Sequence, residues 1–364
     1  MCGTLATLWG FHLHDEAVFL TNTGKTMMTT FDFSRIHRGR ANLHLTQRGI
    51  KMKKLLITSA LVVAGTSAFA DGHVSISGNA EMGLAFVDTV ASATDGDVTL
   101  HQNVNAELSF SGETDGGLSF GGSVEITDAA NNGASVGDIS TGTSVFISGD
   151  FGTLTMGDTD GAMDWAMAEV GSGTAIADDH TAHAGYSGNG FADGFNTLRY
   201  DNTIGDFGFA ISVGNIAENS VVYGAAYGGA TTDSAFGLGF NYSADLGGTT
   251  LGIGVGYTDA GVYDAYGISL SAGFGAVSAV VNFSVADPVA AALPDVEHMA
   301  IGLSYAMDAL SVHVNYGEYD IGGVTTDGVG ANVNFDLGGG AVLALGYGTD
   351  DAADRGSLGI RMDF

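Results

Sequence analysis

Between His73 and Phe364 the chain alternates apolar and polar positions with a period of two. Leu251, Ile253, Val255 and Tyr257 are separated by Gly252, Gly254 and Gly256. Phe236, Leu238, Phe240 and Tyr242 alternate with small or polar residues, and so do Leu358, Ile360, Met362 and Phe364. Successive strand residues point to opposite sides, so this rhythm predicts strands with one apolar and one polar face. The polar face is rich in Gly, Ser and Asn, and no helical segment offers to cover the apolar one. Such a sheet must turn its apolar face to something outside the chain, and lipid is the candidate.

Pairing strands at tight turns lays out the whole region. Residues 73–88 come first, then 98–111 with 117–128, 143–149 with 152–158, and 197–203 with 207–215. These are followed by 234–245 with 249–258, 263–274 with 275–286, 296–307 with 309–319, 327–337 with 341–349, and a terminal strand 354–364. The total is 16 strands, an even number that lets the first and last meet antiparallel. In lipid a sheet has to close, because an open edge leaves backbone groups without partners. The expected fold is therefore all-β, an antiparallel transmembrane β-barrel. Turns at Asp115-Gly116-Gly117, Gly149-Asp150, Gly205-Asp206, Gly247-Gly248 and Gly338-Gly339-Gly340 predict a short-turn side. The other side is expected to carry longer, acidic outer loops. Pro288 and Pro294 fall in one of them, where no ladder bond is lost. Val221–Gly229 reads as part of a long fourth loop, since one more strand would break the parity. Phe86, Tyr200, Tyr257, Tyr305, Tyr316 and Tyr347 lie near strand ends on the apolar face. Interface girdles and ordinary strand propensity explain them equally well.

Composition narrows the partners. Of 364 residues 45% are hydrophobic, with 58 Gly and 1 Cys, which excludes disorder and a disulfide scaffold. Of the 11 bases only Arg199, Arg355 and Arg361 lie beyond residue 70. Of the 41 acids only Asp15, Glu16 and Asp32 lie before it. A surface so poor in bases disfavours nucleic acid. Met52-Lys53-Lys54, the apolar run Leu55–Gly65 and Ala68-Phe69-Ala70 have the form of a secretory signal peptide. The expected organisation is an upstream extension of the reading frame over 1–51, a signal peptide over 52–70 and a barrel over 71–364.

One connection stands apart. Alternation stops after Asp158 and resumes at Thr197. A gap of this length is functional or disordered, and Met163, Trp165, Met167 and Ile176 argue against plain disorder. The segment carries Asp160, Asp164, Glu169, Asp178, Asp179 and Asp193 with no Lys or Arg.

The segments Phe151-Gly152-Thr153-Leu154-Thr155-Met156-Gly157-Asp158-Thr159-Asp160, Asn196-Thr197-Leu198-Arg199-Tyr200-Asp201-Asn202 and Ile360-Arg361-Met362-Asp363-Phe364 carry a family resemblance. Over essentially all of 71–364 the chain resembles the Gram-negative general porins, particularly the alphaproteobacterial type. The resemblance implies a barrel of 16 strands whose third outer loop folds inward and narrows the pore, and a homotrimer. It also implies that the terminal aromatic, Phe364 here, is read by the barrel-assembly machinery. Localisation in the outer membrane, with lipid and lipopolysaccharide as surroundings, belongs to the same resemblance.

Charge departs from that pattern. Members of the family set acids on the inward loop against a cluster of bases on the facing wall, and this chain has too few bases for one. The constriction is expected to hold Asp160, Asp164, Glu169, Asp178, Asp179, Arg199 and Asp201. Parity puts Arg199 and Asp201 on the lumen face, with Glu81, Glu107, Glu125 and Arg361 on the lumen wall. Carboxylate rings favour cations, so the expectation is a cation-preferring pore for ions and small hydrophilic solutes, with hydrated carboxylates that barely discriminate as the alternative.

Asp158, Asp160 and Asp164 resemble part of a calcium loop but lack its distal Glu, so Ca2+ is a weak expectation and no cofactor is required. His180 and His183 have no ligand set around them. His101, His298 and His313 fall on the polar face, where they would titrate near neutrality. No nucleophile, base and orienter are grouped, so no enzyme is expected. The rival readings are a substrate-specific channel, which needs an ordered binding track, and a non-channel surface β protein such as an adhesin or solenoid. A solenoid needs a fixed short repeat, and the strand spacing here is irregular.

Overall fold

In a computed structural model the chain divides into two units, residues 1–54 and 55–364. The structure describes residues 11–13, 16–18, 72–89, 98–128, 139–171, 194–215, 234–261 and 263–364. In the first unit Phe11–Leu13 pairs antiparallel with Glu16–Val18. The leader-like segment 52–70 and Val221–Gly229 lie outside the described residues.

The second unit is a closed barrel of 16 antiparallel strands. They are β1 (His73–Thr89), β2 (Thr99–Glu113), β3 (Ser119–Asp128), β4 (Ile139–Gly149), β5 (Gly152–Thr159), β6 (Gly194–Ile204), β7 (Phe207–Asn215) and β8 (Ser234–Asp245). The second half comprises β9 (Thr249–Asp259), β10 (Tyr263–Phe274), β11 (Val277–Pro288), β12 (Val296–Met307), β13 (Leu310–Ile321), β14 (Val324–Gly338), β15 (Ala341–Asp350) and β16 (Ala353–Asp363). Each strand pairs with its sequence neighbours, and β16 closes on β1 with a register running from Ala353 opposite Thr89 to Asp363 opposite Asn79. Phe364 extends the seam by one rung: its amide donates to the Gly78 carbonyl at 2.8 Å.

Polarity is inverted relative to a water-soluble protein. Leu270 is 50% exposed while its neighbour Ser269 is 1% exposed. Leu251, Ile253, Val255, Phe240, Ile268, Leu303 and Leu345 all stand in the open on the outer face, and Thr258, Asn282 and Ser284 are enclosed. Burying a single Leu or Ile side chain is worth about 1.5–3 kcal/mol. A face built almost wholly of such side chains is sustainable only against hydrocarbon.

The two ends differ, though less simply than the sequence suggests. At the end holding both barrel termini, the turns between β4 and β5, β6 and β7, β10 and β11, and β12 and β13 are tight. At the opposite, loop end the expectation of longer, acidic connections fails at three places. Asp259 to Tyr263, Ile321 to Val324 and Asp350 to Ala353 are also tight turns. Gly322 (φ 63) and Gly323 (φ 86) supply the two positive dihedrals of a type I′ hairpin. Asp350, expected within an acidic loop, instead accepts from the amides of Ala352 and Ala353 at 2.8 Å and from Arg355. Its carboxylate shapes the turn. Pro288 is the last residue of β11, opposite Tyr263, rather than a loop residue; Pro294 lies in the connection between β11 and β12.

The outward aromatics sit at two levels. Phe86, Tyr257, Tyr316 and Tyr347 lie toward the loop end, and Tyr200 and Tyr305 toward the terminal end. Tyr257 donates to Asp264 at 2.7 Å and Tyr316 to Glu318 at 2.6 Å, so each phenol meets a polar partner where hydrocarbon gives way to headgroups.

Ile253→Arg places a guanidinium on the outer face near the middle of β9. It is expected to destabilise the barrel by about 2–4 kcal/mol, read as an earlier denaturant transition in lipid vesicles. Thr250→Arg, which points inward from the same strand, is expected to leave that transition in place.

Candidate functional site

The lumen is narrowed by the connection that leaves β5. Near the end of β5 the pairing slips between Gly157 and Thr159, and Gly157 holds φ 124. A bulge of this kind bends a strand and re-aims the chain beyond it. The backbone turns inward through Asp160 and Gly161 into a short helix, α1 (Ala162–Ala166). The segment to Val170 lies against the inner wall, with α1 packed on β7, β8 and β9.

The seat of this segment explains the glycine rhythm. A Cβ added at Gly256 would lie 2.8 Å from the Met163 Cα, and one at Gly254 would lie 2.9 Å from the Met167 Cα. At Gly208 it would meet Trp165, at Gly239 Ala162 and Ala166, at Gly267 Met167, and at Gly302 the Val170 carbonyl. These inward glycines form a trench across β7–β12 that only a wall without side chains can offer. Hydrogen bonds from three strands hold the insert. The Ala162 amide donates to Ser212 Oγ at 2.9 Å, the Ala168 amide to Ser269 Oγ at 2.8 Å, and Asn282 Nδ2 to the Ala168 carbonyl at 3.5 Å.

The contact is dry. Met163 and Met167 pack with Ala260, Tyr263, Ala265, Ala286 and Val296, with Tyr319 at the margin. His298, 1% exposed, lies in the same patch with its ring centroid 4.7 Å from that of Tyr319. His313 shares a 2.7 Å hydrogen bond with Ser304 and is also enclosed. Both histidines face inward, as parity requires, but they line the seat rather than the water-filled lumen. His101 keeps a luminal setting, 3.2 Å from Glu81.

The acids divide between two sides of the lumen. Asp160, Asp164 and Glu169 travel with the inward segment, Asp164 in the first turn of α1 and Glu169 exposed. Halfway round the ring, on β1–β3, stand Glu81, Glu107 and Glu125. Glu107 and Glu125 are directly opposite in the ladder; Ser109 donates to Glu107 at 3.1 Å and Thr127 to Glu125 at 3.4 Å. Acids thus stand both on the insert and on the opposite side of the ring. Each of the three barrel arginines has a carboxylate beside it. Arg199 Nε donates to Asp201 at 3.1 Å, Arg355 to Asp350, and Arg361 lies 3.8 Å from Asp363 and opposite Glu81. Asp178, Asp179, His180 and His183 lie outside the described residues.

Among the described residues no group of three or more His, Cys, Asp or Glu side chains is placed to hold a metal ion. Asp158, Asp160 and Asp164 are not gathered: Asp158 turns its carboxylate toward Gly142 on β4, and Asp160 engages Arg199 through its main-chain carbonyl. Sequence reasoning missed the buried polar residues Ser212, Ser269 and Asn282, which position the insert. Their only signal was a small polar residue in line with the glycines on the inward face.

The sequence pattern of the Gram-negative porin family matches residues 58–355. A porin of Rhodobacter capsulatus is 27% identical over 332 residues, covering 80% of this chain and all of that protein. A variant of the Rhodopseudomonas blastica porin superposes with a TM-score of 0.61 at 18% identity, over 80% of this chain and 100% of that one. A porin refined at 1.8 Å resolution superposes with a TM-score of 0.56 at 24% identity and the same coverage.

Gly256→Leu adds bulk where Met163 lies. It is expected to cost about 1–3 kcal/mol by overpacking and to lift the insert, read as new protease cleavage between residues 160 and 171 in a barrel that still shifts mobility on heating. Met163→Ala is expected to loosen the same seat by about 2–5 kcal/mol, read by the same cleavage.

Proposed function

Because the chain belongs to the Gram-negative porin family, an outer-membrane general diffusion porin in fold and in pattern, we propose that its pore prefers cations. The observation that carries this reading is the absence of an uncompensated base in the described lumen. Arg199, Arg355 and Arg361 are each beside a carboxylate, while Glu81, Glu107, Glu125 and Glu169 line the way through. Rings of carboxylates raise the local concentration of cations and exclude anions. Solutes pass by diffusion down their gradients, and the protein performs no catalysis. Among the described residues the constriction comprises Asp160, Asp164 and Glu169, with Arg199 and Asp201 at its root. Acid on both sides of the opening gives a weak transverse field, so polar uncharged solutes cross with little orientation.

The reading extends to the chain's export and surroundings. Residues 52–70 act as the signal peptide and the upstream 1–51 take no part in the mature barrel; the barrel forms a homotrimer, and Phe364 is read by the barrel-assembly machinery. At the loop end, outward carboxylates oppose one another directly: Asp259 and Asp264, Asp264 and Asp287, Glu297 and Asp320, Glu318 and Asp327, Asp354 and Asp88. Like charges in opposed positions destabilise a sheet. This supports divalent cations, calcium or magnesium, bridging the rim to anionic lipopolysaccharide.

The test is current through a planar bilayer under a potassium chloride gradient. The expected reversal potential favours potassium, and Glu107→Gln with Glu125→Gln moves it toward zero. A potential favouring chloride overturns the preference. Liposome swelling that tracks sugar size alone supports general diffusion, and saturation by one sugar would instead indicate a specific channel. Chelation of divalent cations is expected to weaken retention of the protein in native membranes; unchanged retention removes the bridging cations from the account.

A further inference from the structure

Arg199 stands at the place where the chain leaves the wall. It lies halfway along β6, with its side chain 12% exposed and that of Asp201 18% exposed. Its guanidinium reaches two acceptors on different parts of the chain. Nε donates to Asp201 Oδ1 at 3.1 Å on its own strand, and Nη1 donates to the carbonyl of Asp160 at 2.7 Å. Asp160 is the first residue beyond β5, one residue short of the helix that lies in the trench, with Gly161 between. Two residues later the Ala162 amide is held by Ser212 on β7. The root is therefore gripped twice, by β6 through a carbonyl and by β7 through an amide, immediately after the Gly157 bulge. A small rotation here is carried along the whole inward segment.

A guanidinium suits this task because its donors form a rigid planar fork. Lysine carries the same charge as a point and cannot hold both acceptors in fixed geometry. The charge itself is already compensated by Asp201, so it adds little to the field in the opening. We infer that Arg199 is a positioning residue: it fixes the direction in which the constriction segment enters the lumen, and so the size and steadiness of the open pore. This rests on the pore reading above, and assigns the arginine a mechanical part in it rather than a share in ion selection.

Single-channel recording on the full-length mature protein separates the two roles. Arg199→Lys keeps the charge and loses the fork. It is expected to replace one steady conductance level by several, with increased open-channel noise, at an unchanged reversal potential. Ser212→Ala removes the second grip without altering any charge, and the same scatter of levels is expected. The two substitutions act on different strands, so if one fails to insert the other decides. The inference is overturned if the inserted variants keep the wild-type level and noise; a shift in reversal potential alone on Arg199→Gln would then mark the arginine as a field charge. Wild-type protein that forms no channel would fail the pore reading itself, an outcome visible before any variant is tested.

Discussion

Hydrocarbon offers no partner to a peptide group, and each unpaired one costs several kcal/mol, so every strand in lipid must find neighbours on both sides. That requirement makes the seam between β16 and β1 decisive. The two strands come from opposite ends of the barrel sequence, with all the other strands between them, yet their register runs without a break from Ala353 opposite Thr89 to Asp363 opposite Asn79. The Phe364 and Gly78 backbone groups prolong it to the last residue. Parity, inverted polarity and the two aromatic levels are consequences of this closure. Once the ring is sealed, each residue either meets lipid or meets the lumen.

The inward half of the alternation then does two things that conflict. A wet passage needs polar side chains, while the inserted segment needs a place to lie. The barrel resolves this by dividing its wall. Over β7–β12 glycines and small polar residues clear the inward face where the helix and its continuation rest, and Met163 and Met167 pack there on the dry patch of Tyr263, Ala265, Ala286 and Val296. Over β1–β3 the inward positions include the full-length acids Glu81, Glu107 and Glu125. Narrowing and wetting are thereby assigned to opposite sides, and the trench determines which side is which.

The period-two pattern made the strands legible because it is imposed by lipid on one face and repeated over the whole length. Strand number, order and the inward sense of Arg199, Asp201, Glu81, Glu107 and Glu125 could all be read from it. Loop lengths could not. Asp350-Asp351-Ala352-Ala353-Asp354 looks like a solvated acidic loop, but Asp350 caps its own turn through two amides and the chain turns back at once. Gly322-Gly323 makes an equally short turn through its dihedrals. The fate of His298 and His313 was also hidden. Parity places them inward, but whether an inward residue meets water or the inserted segment depends on where that segment rests, and nothing in β12 or β13 alone encodes it. The glycines in line on β8, β9 and β10 were the available sign: an inward glycine marks the close approach of another backbone.

The arginines show how charge and architecture are joined. A barrel this acidic could use a few bases to set a field across its opening. Instead two of the three bases sit where the chain changes course, Arg199 at the root of the insert and Arg355 beside the turn closed by Asp350, and the third, Arg361, lies on the seam strand opposite Glu81. In each case a carboxylate lies beside the positive charge, and Arg199 in addition holds a backbone carbonyl. The acids left without a guanidinium beside them include Glu107 and Glu125, on the open side of the lumen. On the cation-preferring reading proposed above, the wall acids rather than the arginines set the sign of the passage.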